Sequence, residues 1–292
     1  MKVAGFTFIR NAVKNDYSIV EAILSILPIC DEFVVAVGKS EDKTLELIQS
    51  IQSPKIRIIE TVWDESQREG GKTFALETDK AYRAISKDCD WAFYIQGDEC
   101  VHENDLSVIR QEMQNHLLDE KVEGLLFHYQ HFYGSYDFIA DSRRWYRREI
   151  RIVKNSPDVH SYKDAQGFRK SGQKLKVKLI PAFIYHYGWV KPPQGLNNKV
   201  RNFQHFYRDD AWMAENVPID YEFDFENAER LTRFQGTHPQ TMQARIDAQN
   251  WPFHFDPKQL RKKMSFRRKV LQKIEDLTGI RIGEYKNYRI LS

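Results

Sequence analysis

Through the first hundred residues, apolar-rich runs alternate with segments whose apolar residues recur every third or fourth position. The runs cover residues 2–9, 33–37, 56–60 and 91–95. All four read as strands, and the uninterrupted apolar stretches 33–37 and 91–95 read as buried ones, the latter on both faces as in a parallel sheet. Between the runs, Ser18-Ile-Val-Glu21 has the spacing of a capping box, and Ile19, Ile23, Ile26 and Leu27 follow at helical spacing up to Pro28. Residues 42–51 repeat the pattern through Leu45, Ile48 and Ile51. After a polar segment, residues 61–71, a third helix carries Phe74, Ala75, Thr78, Ala81, Tyr82 and Ile85 on one face. Strand and helix alternating over short connections predict a parallel βαβ sheet with right-handed crossovers.

Beyond residue 100 the pattern loosens. A helix is expected over about 103–118 and a strand over 124–133, with His128 and His131 among aromatics. Residues 141–154 are dense in arginine and aromatics (Arg143, Arg144, Trp145, Tyr146, Arg147, Arg148, Arg151). Another strand, 177–190, ends in Tyr185-His186-Tyr187-Gly188-Trp189, and Pro192-Pro193 breaks the chain. Leu196, Val200, Phe203 and Phe206 then mark an amphipathic helix. Residues 209–255 are acidic and aromatic and carry no assignable period. Asp256-Pro257 has the form of an N-cap and first helical residue. A last helix follows with Leu260, Met264, Leu271, Ile274 and Leu277 on one side.

At 292 residues, 41% hydrophobic and 13% aromatic, the chain can bury a large core, which excludes global disorder. A formal net charge of +3 is too small to imply nucleic acid. Three cysteines (Cys30, Cys89, Cys100) are odd in number and lack metal-ligand spacing, which suits reduced thiols in a cytoplasmic protein. No run reaches the length of a membrane span, and the start is too short and strand-like for a signal peptide.

The chemistry gathers where strands end. The run from Trp91 stops abruptly at Gln96-Gly97-Asp98-Glu99, and Arg10-Asn11, Gly38-Lys39-Ser40 and Asp64 follow the other strands. In an open parallel sheet these positions share one rim, where ligands bind. Gly97 would let backbone and ligand approach closely, and hard cations that carry phosphates take oxygen ligands such as Asp98 offers. The plain alternative is a polar strand end that caps the next helix. No phosphate loop, dinucleotide fingerprint or nucleophile elbow is present.

In these residues the chain resembles the family-2 glycosyltransferases, nucleotide-sugar enzymes with the GT-A fold. The likeness lies in Phe6-Thr-Phe-Ile-Arg-Asn11, in Gly38-Lys-Ser-Glu-Asp-Lys-Thr44 against a D-G-S-x-D-x-T segment, and in Lys72-Thr-Phe-Ala-Leu76. It continues in Trp91 to Glu99 against W-[apolar]-D-A-D-[DE], and in the later order Arg148 to Val153, Val159-His160 and Ile184 to Gly188. It is good over 3–105, patchy over 140–190 and absent over 195–292. Gly38 and Gln96 stand where the family carries aspartates.

The resemblance implies a GT-A α/β fold, Rossmann-like and mainly parallel. Residues 1–192 would form the transferase domain (1–105 nucleotide-binding, 106–192 acceptor-binding) and 193–292 a mostly helical extension. It implies transfer of a sugar from a nucleotide-sugar donor to a saccharide or lipid-linked acceptor hydroxyl. Arg10, Asn11, Lys39, Asp64, Lys72, Gln96 and Gly97 would border the donor. Asp98 and His186 would hold Mn²⁺ or Mg²⁺, and Asp164 is the candidate base. For His186 the structural alternative is a buried histidine satisfied by a backbone partner. The arginines of 141–154 suit either a diphosphate or a packed face. Two other functions stay open. A nucleotidyltransferase expects a glycine-rich first loop, which residues 8–11 do not offer. A non-catalytic binding protein on a degenerate transferase fold is favoured by Gly38 and Gln96. Finally, Lys258, Arg261, Lys262, Lys263, Arg267, Arg268, Lys269 and Lys273 oppose the last apolar stripe, an arrangement suited to peripheral contact with an anionic membrane.

Overall fold

A computed structural model describes residues 1–67, 69–217, 223–253, 256, 260 and 263–291. Four parallel strands, β1 (Val3–Ile9), β2 (Glu32–Gly38), β3 (Ile56–Thr61) and β4 (Trp91–Tyr94), lie in the order β3-β2-β1-β4. Side chains alternate between two cores, as the strand period of two requires. Phe33, Val35 and Val37 face α1 (Ile19–Ile26), whereas Val34 and Ala36 face α3 (Lys72–Arg83) with Phe6, Ala81, Tyr82 and Tyr94. Both faces of β1, β2 and β4 are thus covered, which is why these runs show no polar alternation. Two local expectations are corrected. Ser18 makes no capping bond; its buried hydroxyl points to the carbonyl of Gly97 at 3.4 Å. The second helix, α2 (Thr44–Gln49), starts late because Asp42 and Thr44 accept N–H bonds from Lys14 and Ala12 at 2.7 Å each.

The chain after β4 turns into a short strand, β5 (Glu99–Val101), rather than capping the next helix directly; α4 (Leu106–Asn115) begins only after it. Next come β6 (Gly124–Tyr133), β7 (Ser135–Ala140) and β8 (Arg148–Lys154). A small antiparallel sheet follows, made of β9 (Val159–Tyr162), β10 (Gly167–Lys170) and β11 (Gln173–Lys174), and then the long β12 (Lys176–Trp189). Strand β8 enters antiparallel between β4 and β6, and β12 runs parallel to β6. Strand β12 also pairs antiparallel with β5, so that His186 sits opposite Glu99 and beside His131. The result is a mixed Rossmann-like sheet flanked by helices.

Beyond residue 192 the regular structure is mainly helical: α5 (Pro193–His205), α6 (Asp210–Asn216), α7 (Gln243–Asp247) and α8 (Phe266–Thr278). Two short strands weave this part into the same sheet, β13 (Leu231–Arg233) against β7 and β14 (Arg289–Ile290) against β12. Pro257, Lys258, Arg261 and Lys262 lie outside the described residues; α8 itself starts at Phe266, capped by Ser265, and ends at Gly279 in the left-handed region (φ 69°). The arginine-rich stretch holds this segment down. Arg143 and Arg281 both bind Glu275 at 2.7 Å, and Arg147 binds Glu284 at 2.9 Å.

A further arginine of the stretch, Arg151, is fully buried against fully buried Glu99, with Nε to Oε2 and Nη2 to Oε1 both at 2.8 Å. Tyr129 adds a 2.7 Å hydroxyl bond to Glu99, and the Arg151 guanidinium lies 5.3 Å from the ring centres of both Tyr94 and Tyr129. Removing one partner of such a pair strands a buried charge. Arg151→Met is therefore expected to lower unfolding free energy by about 3–5 kcal/mol in denaturant titrations, and a Glu99→Gln/Arg151→Met protein to recover much of that loss.

Candidate active site

The turn between β4 and β5 carries the centre of the site. Glu99 accepts the Gln96 N–H at 3.1 Å, and the Asp98 carbonyl accepts the Tyr187 N–H at 2.8 Å, so both ends of the turn are tied. Gly97 does not open to the rim; its missing side chain makes room for Ile9 and Ile19. Asp98 points to β12 and α5. Its Oδ2 accepts from Lys199 Nζ at 2.8 Å and lies 3.7 Å from His186 Nε2. Burial works to raise the Asp98 pKa, but Lys199, His186 and Lys191 outweigh it and hold the carboxyl well below the usual carboxylate range.

His186 is oriented from behind. His131 directs Nε2 to the Tyr146 carbonyl at 2.7 Å, and its Nδ1 meets His186 Nδ1 at 3.1 Å. A carbonyl only accepts, so His131 carries its proton on Nε2 and accepts at Nδ1 from His186. The other ring nitrogen of His186, Nε2, faces Asp98. Burial lowers the pKa of both imidazoles. The tips of His186, Asp98 and Lys199 converge on Gly188, where a Cβ would lie 2.7, 2.6 and 2.4 Å from them. A second ammonium, Lys191, bonds the Asp16 carbonyl and lies 4.9 Å from the Tyr17 ring centre. Burial, reinforced by the charge on Lys199, pushes its pKa down to about 7.

Beside this centre, the rim of β1 to β3 is lined by aromatic rings. Trp63 lies on Gly38, at the place of the family aspartate: a Cβ there would stand 2.3 Å from the indole nitrogen. Arg10 covers the Trp63 ring at 5.4 Å. Phe8 and Phe74 of the domain meet Trp63, and Phe203, Phe206 and Tyr207 close over Phe74 from α5 and the turn after it. Asn11, at φ 53°, ties the β1 and β2 ends together, its N–H donating to Ser40 and its Oδ1 accepting from Glu41. Lys39 is exposed beside them. Asp64 is also exposed and accepts from Ser66, and Lys72 bonds Gln67 at 2.7 Å.

Asp164 sits in the β9–β10 turn between Lys163 and Ala165, both at positive φ. Gln96 holds this turn, donating to the Ala165 carbonyl at 3.2 Å. One Asp164 oxygen accepts from Tyr207 at 2.7 Å, and the other, buried, has no hydrogen-bond partner among the described residues. The glutamine at the family's first aspartate position is thus used to brace a neighbouring loop.

The expected metal pair does come together, but the space it would share is taken. The Lys199 ammonium bonds the carboxylate oxygen nearest His186, and among the described residues no three His, Cys, Asp or Glu side chains gather as an ion site. As they stand, these residues do not fit a resident divalent ion.

No family model matches the chain, and no curated protein matches it by sequence. Solved structures align with it distantly. TarS 1–349 of S. aureus in complex with UDP is 11% identical over 74% of this chain and 70% of its own, with TM-score 0.41. Glucosyl-3-phosphoglycerate synthase from Mycobacterium tuberculosis, in complex with Mn²⁺, UDP and phosphoglyceric acid, is 18% identical over 44% of this chain and 43% of its own (TM-score 0.30). The 4-diphosphocytidyl-2C-methyl-D-erythritol synthase from Anaerococcus prevotii is 12% identical over 65% and 92% (TM-score 0.37). The strand order described above, rather than these likenesses, carries the assignment. The fold is of the GT-A type.

Sequence reasoning missed Lys199, Lys191 and Trp63. Lys199 carried a legible signal: it falls three residues after Leu196, on the apolar stripe of its helix, where a lysine needs a buried partner. His131, which the sequence places among aromatics on β6, has the structural role of orienting His186. Gly188→Ala is expected to force the three converging tips apart and lower stability by about 1–3 kcal/mol, checked by thermal and denaturant unfolding.

Proposed function

We propose that the protein transfers a sugar from a nucleotide-sugar donor to an acceptor hydroxyl. The observation that carries this reading is the pairing of Asp98, Lys199, Lys191 and His186 at the carboxyl end of β4 with an aromatic-lined rim next to it. Ammonium groups suit a diphosphate, and flat rings suit a base and ribose. In the transfer, the acceptor oxygen bonds the anomeric carbon. The bond from that carbon to the diphosphate breaks, its electron pair stays on the phosphate oxygen, and the acceptor proton passes to a carboxylate. Asp164 is our candidate for that base, supported by its one buried oxygen without a partner among the described residues. Arg10, Asn11, Lys39, Asp64 and Lys72 remain candidates for the donor border. The acceptor class we favour is a glycan or lipid-linked hydroxyl.

Incubation with a panel of nucleotide sugars tests this. The expected result is slow release of free sugar and nucleoside diphosphate; pyrophosphate-dependent exchange would indicate a nucleotidyltransferase, and no turnover a binding protein. Asp164→Asn is expected to lower transfer by about a hundredfold or more while donor affinity stays near wild type, read from kcat against Kd. Asp98→Asn would not isolate the chemistry, because it leaves Lys199 buried without its counter-charge.

Membrane contact through the last helix is a second part of this proposal. Phe266 (84% exposed), Val270 and Leu277 (76%) stand out from α8 among exposed Lys263, Arg267, Lys269 and Lys273, whereas Arg268 is paired with Glu229. Among the described residues no helix is long and apolar enough to cross a membrane. Liposome sedimentation is expected to show binding that rises with anionic lipid and falls with salt, and Phe266→Ser/Leu277→Ser to weaken it. Equal binding to neutral vesicles would refute the electrostatic part.

A further inference from the structure

We propose that Lys199 is the built-in cation of this site and that the protein holds its diphosphate without a divalent metal ion. The inference rests on the transferase reading above. Lys199 is 7% exposed on the domain-facing side of α5. Two of its three protons are committed, to Asp98 Oδ2 and to the Gly188 carbonyl, both at 2.8 Å. The third has no hydrogen-bond partner among the described residues, and a phosphate oxygen is the acceptor such a donor suits.

The charge balance of the site argues the same way. A pair of carboxylates at a strand end is acidic and needs an added ion before it attracts a diphosphate. Here one carboxylate position is Gln96, and Glu99 is neutralised by Arg151. That leaves Asp98 against Lys199, with Lys191 as a second ammonium across the Tyr17 ring, whose centre lies 5.8 Å from one and 4.9 Å from the other. An ion bound by Asp98 and His186 would have to displace the ammonium that contacts the same oxygen, since like charges at that range repel strongly. When the anomeric bond breaks, the electron pair stays on the diphosphate oxygen and the third Lys199 N–H bonds it. No proton is transferred in that contact.

The test is calorimetric titration with UDP, GDP, ADP and CDP, each in EDTA and in Mn²⁺, on wild type and Lys199→Met. Wild type is expected to bind one of them equally in both buffers, within about twofold. Lys199→Met is expected to bind it about tenfold more weakly or worse in EDTA and to recover in Mn²⁺, because the vacated Asp98–His186 pair becomes free for the ion. Electron paramagnetic resonance of added Mn²⁺ should accordingly show uptake by the variant and not by wild type. Lys199→Met strands a buried carboxylate, so Asp98→Asn/Lys199→Met serves as the folded control, with weak binding and no rescue by Mn²⁺. Wild-type binding that requires Mn²⁺ would overturn the inference and leave the transferase reading standing. Binding by Lys199→Met in EDTA as tight as wild type would overturn the role of Lys199. No binding of any nucleoside diphosphate in either buffer would remove the transferase reading, and this inference with it.

Discussion

The site depends on a buried carboxylate that is not itself part of the chemistry. Glu99 accepts from Arg151, Tyr129 and the backbone of Gln96, and so pins a turn that would otherwise leave the end of β4 free. Fixing that turn lets residues 99–101 pair with β12, and the pairing delivers His186 and Gly188 to Asp98. A charge pair in so dry a place is a weak source of net stability. Its value here is positional: a bidentate guanidinium admits one register between three strands.

The departures from the family pattern read as rebuilding. Where an aspartate is missing at Gly38, Trp63 fills the space and Arg10 covers its ring. Where one is missing at Gln96, the amide braces the turn that carries Asp164. Each loss of a carboxylate comes with a defined contact, and together they shift the rim from acidic toward aromatic and cationic.

Helix α5 links the two halves of that rim. Its lysine enters the Asp98 centre, its Phe203 stacks on Phe74, and Tyr207 just beyond it reaches Asp164. The part of the chain with no resemblance to the family therefore supplies the groups that give the site its sign. Arg143 and Arg147 serve the opposite purpose, joining the C-terminal segment to the domain through Glu275 and Glu284.

What the sequence determined by itself was the layered α/β frame and the polar strand ends that share one rim. The unbroken apolar runs at 33–37 and 91–95 read as strands covered on both faces, and polar residues that end the strands of one parallel sheet meet at one rim. For that reason Asp98 and His186 could be expected close together, as they are at 3.7 Å. Only the tertiary structure decided what surrounds them. Ion pairing depends on which distant residues come within about 4 Å, and neither Arg151 on Glu99 nor Lys199 on Asp98 leaves a local pattern. A three-residue strand such as 99–101 is likewise too short to show a period, because its partner β12 lies some eighty residues away and alone makes it a strand.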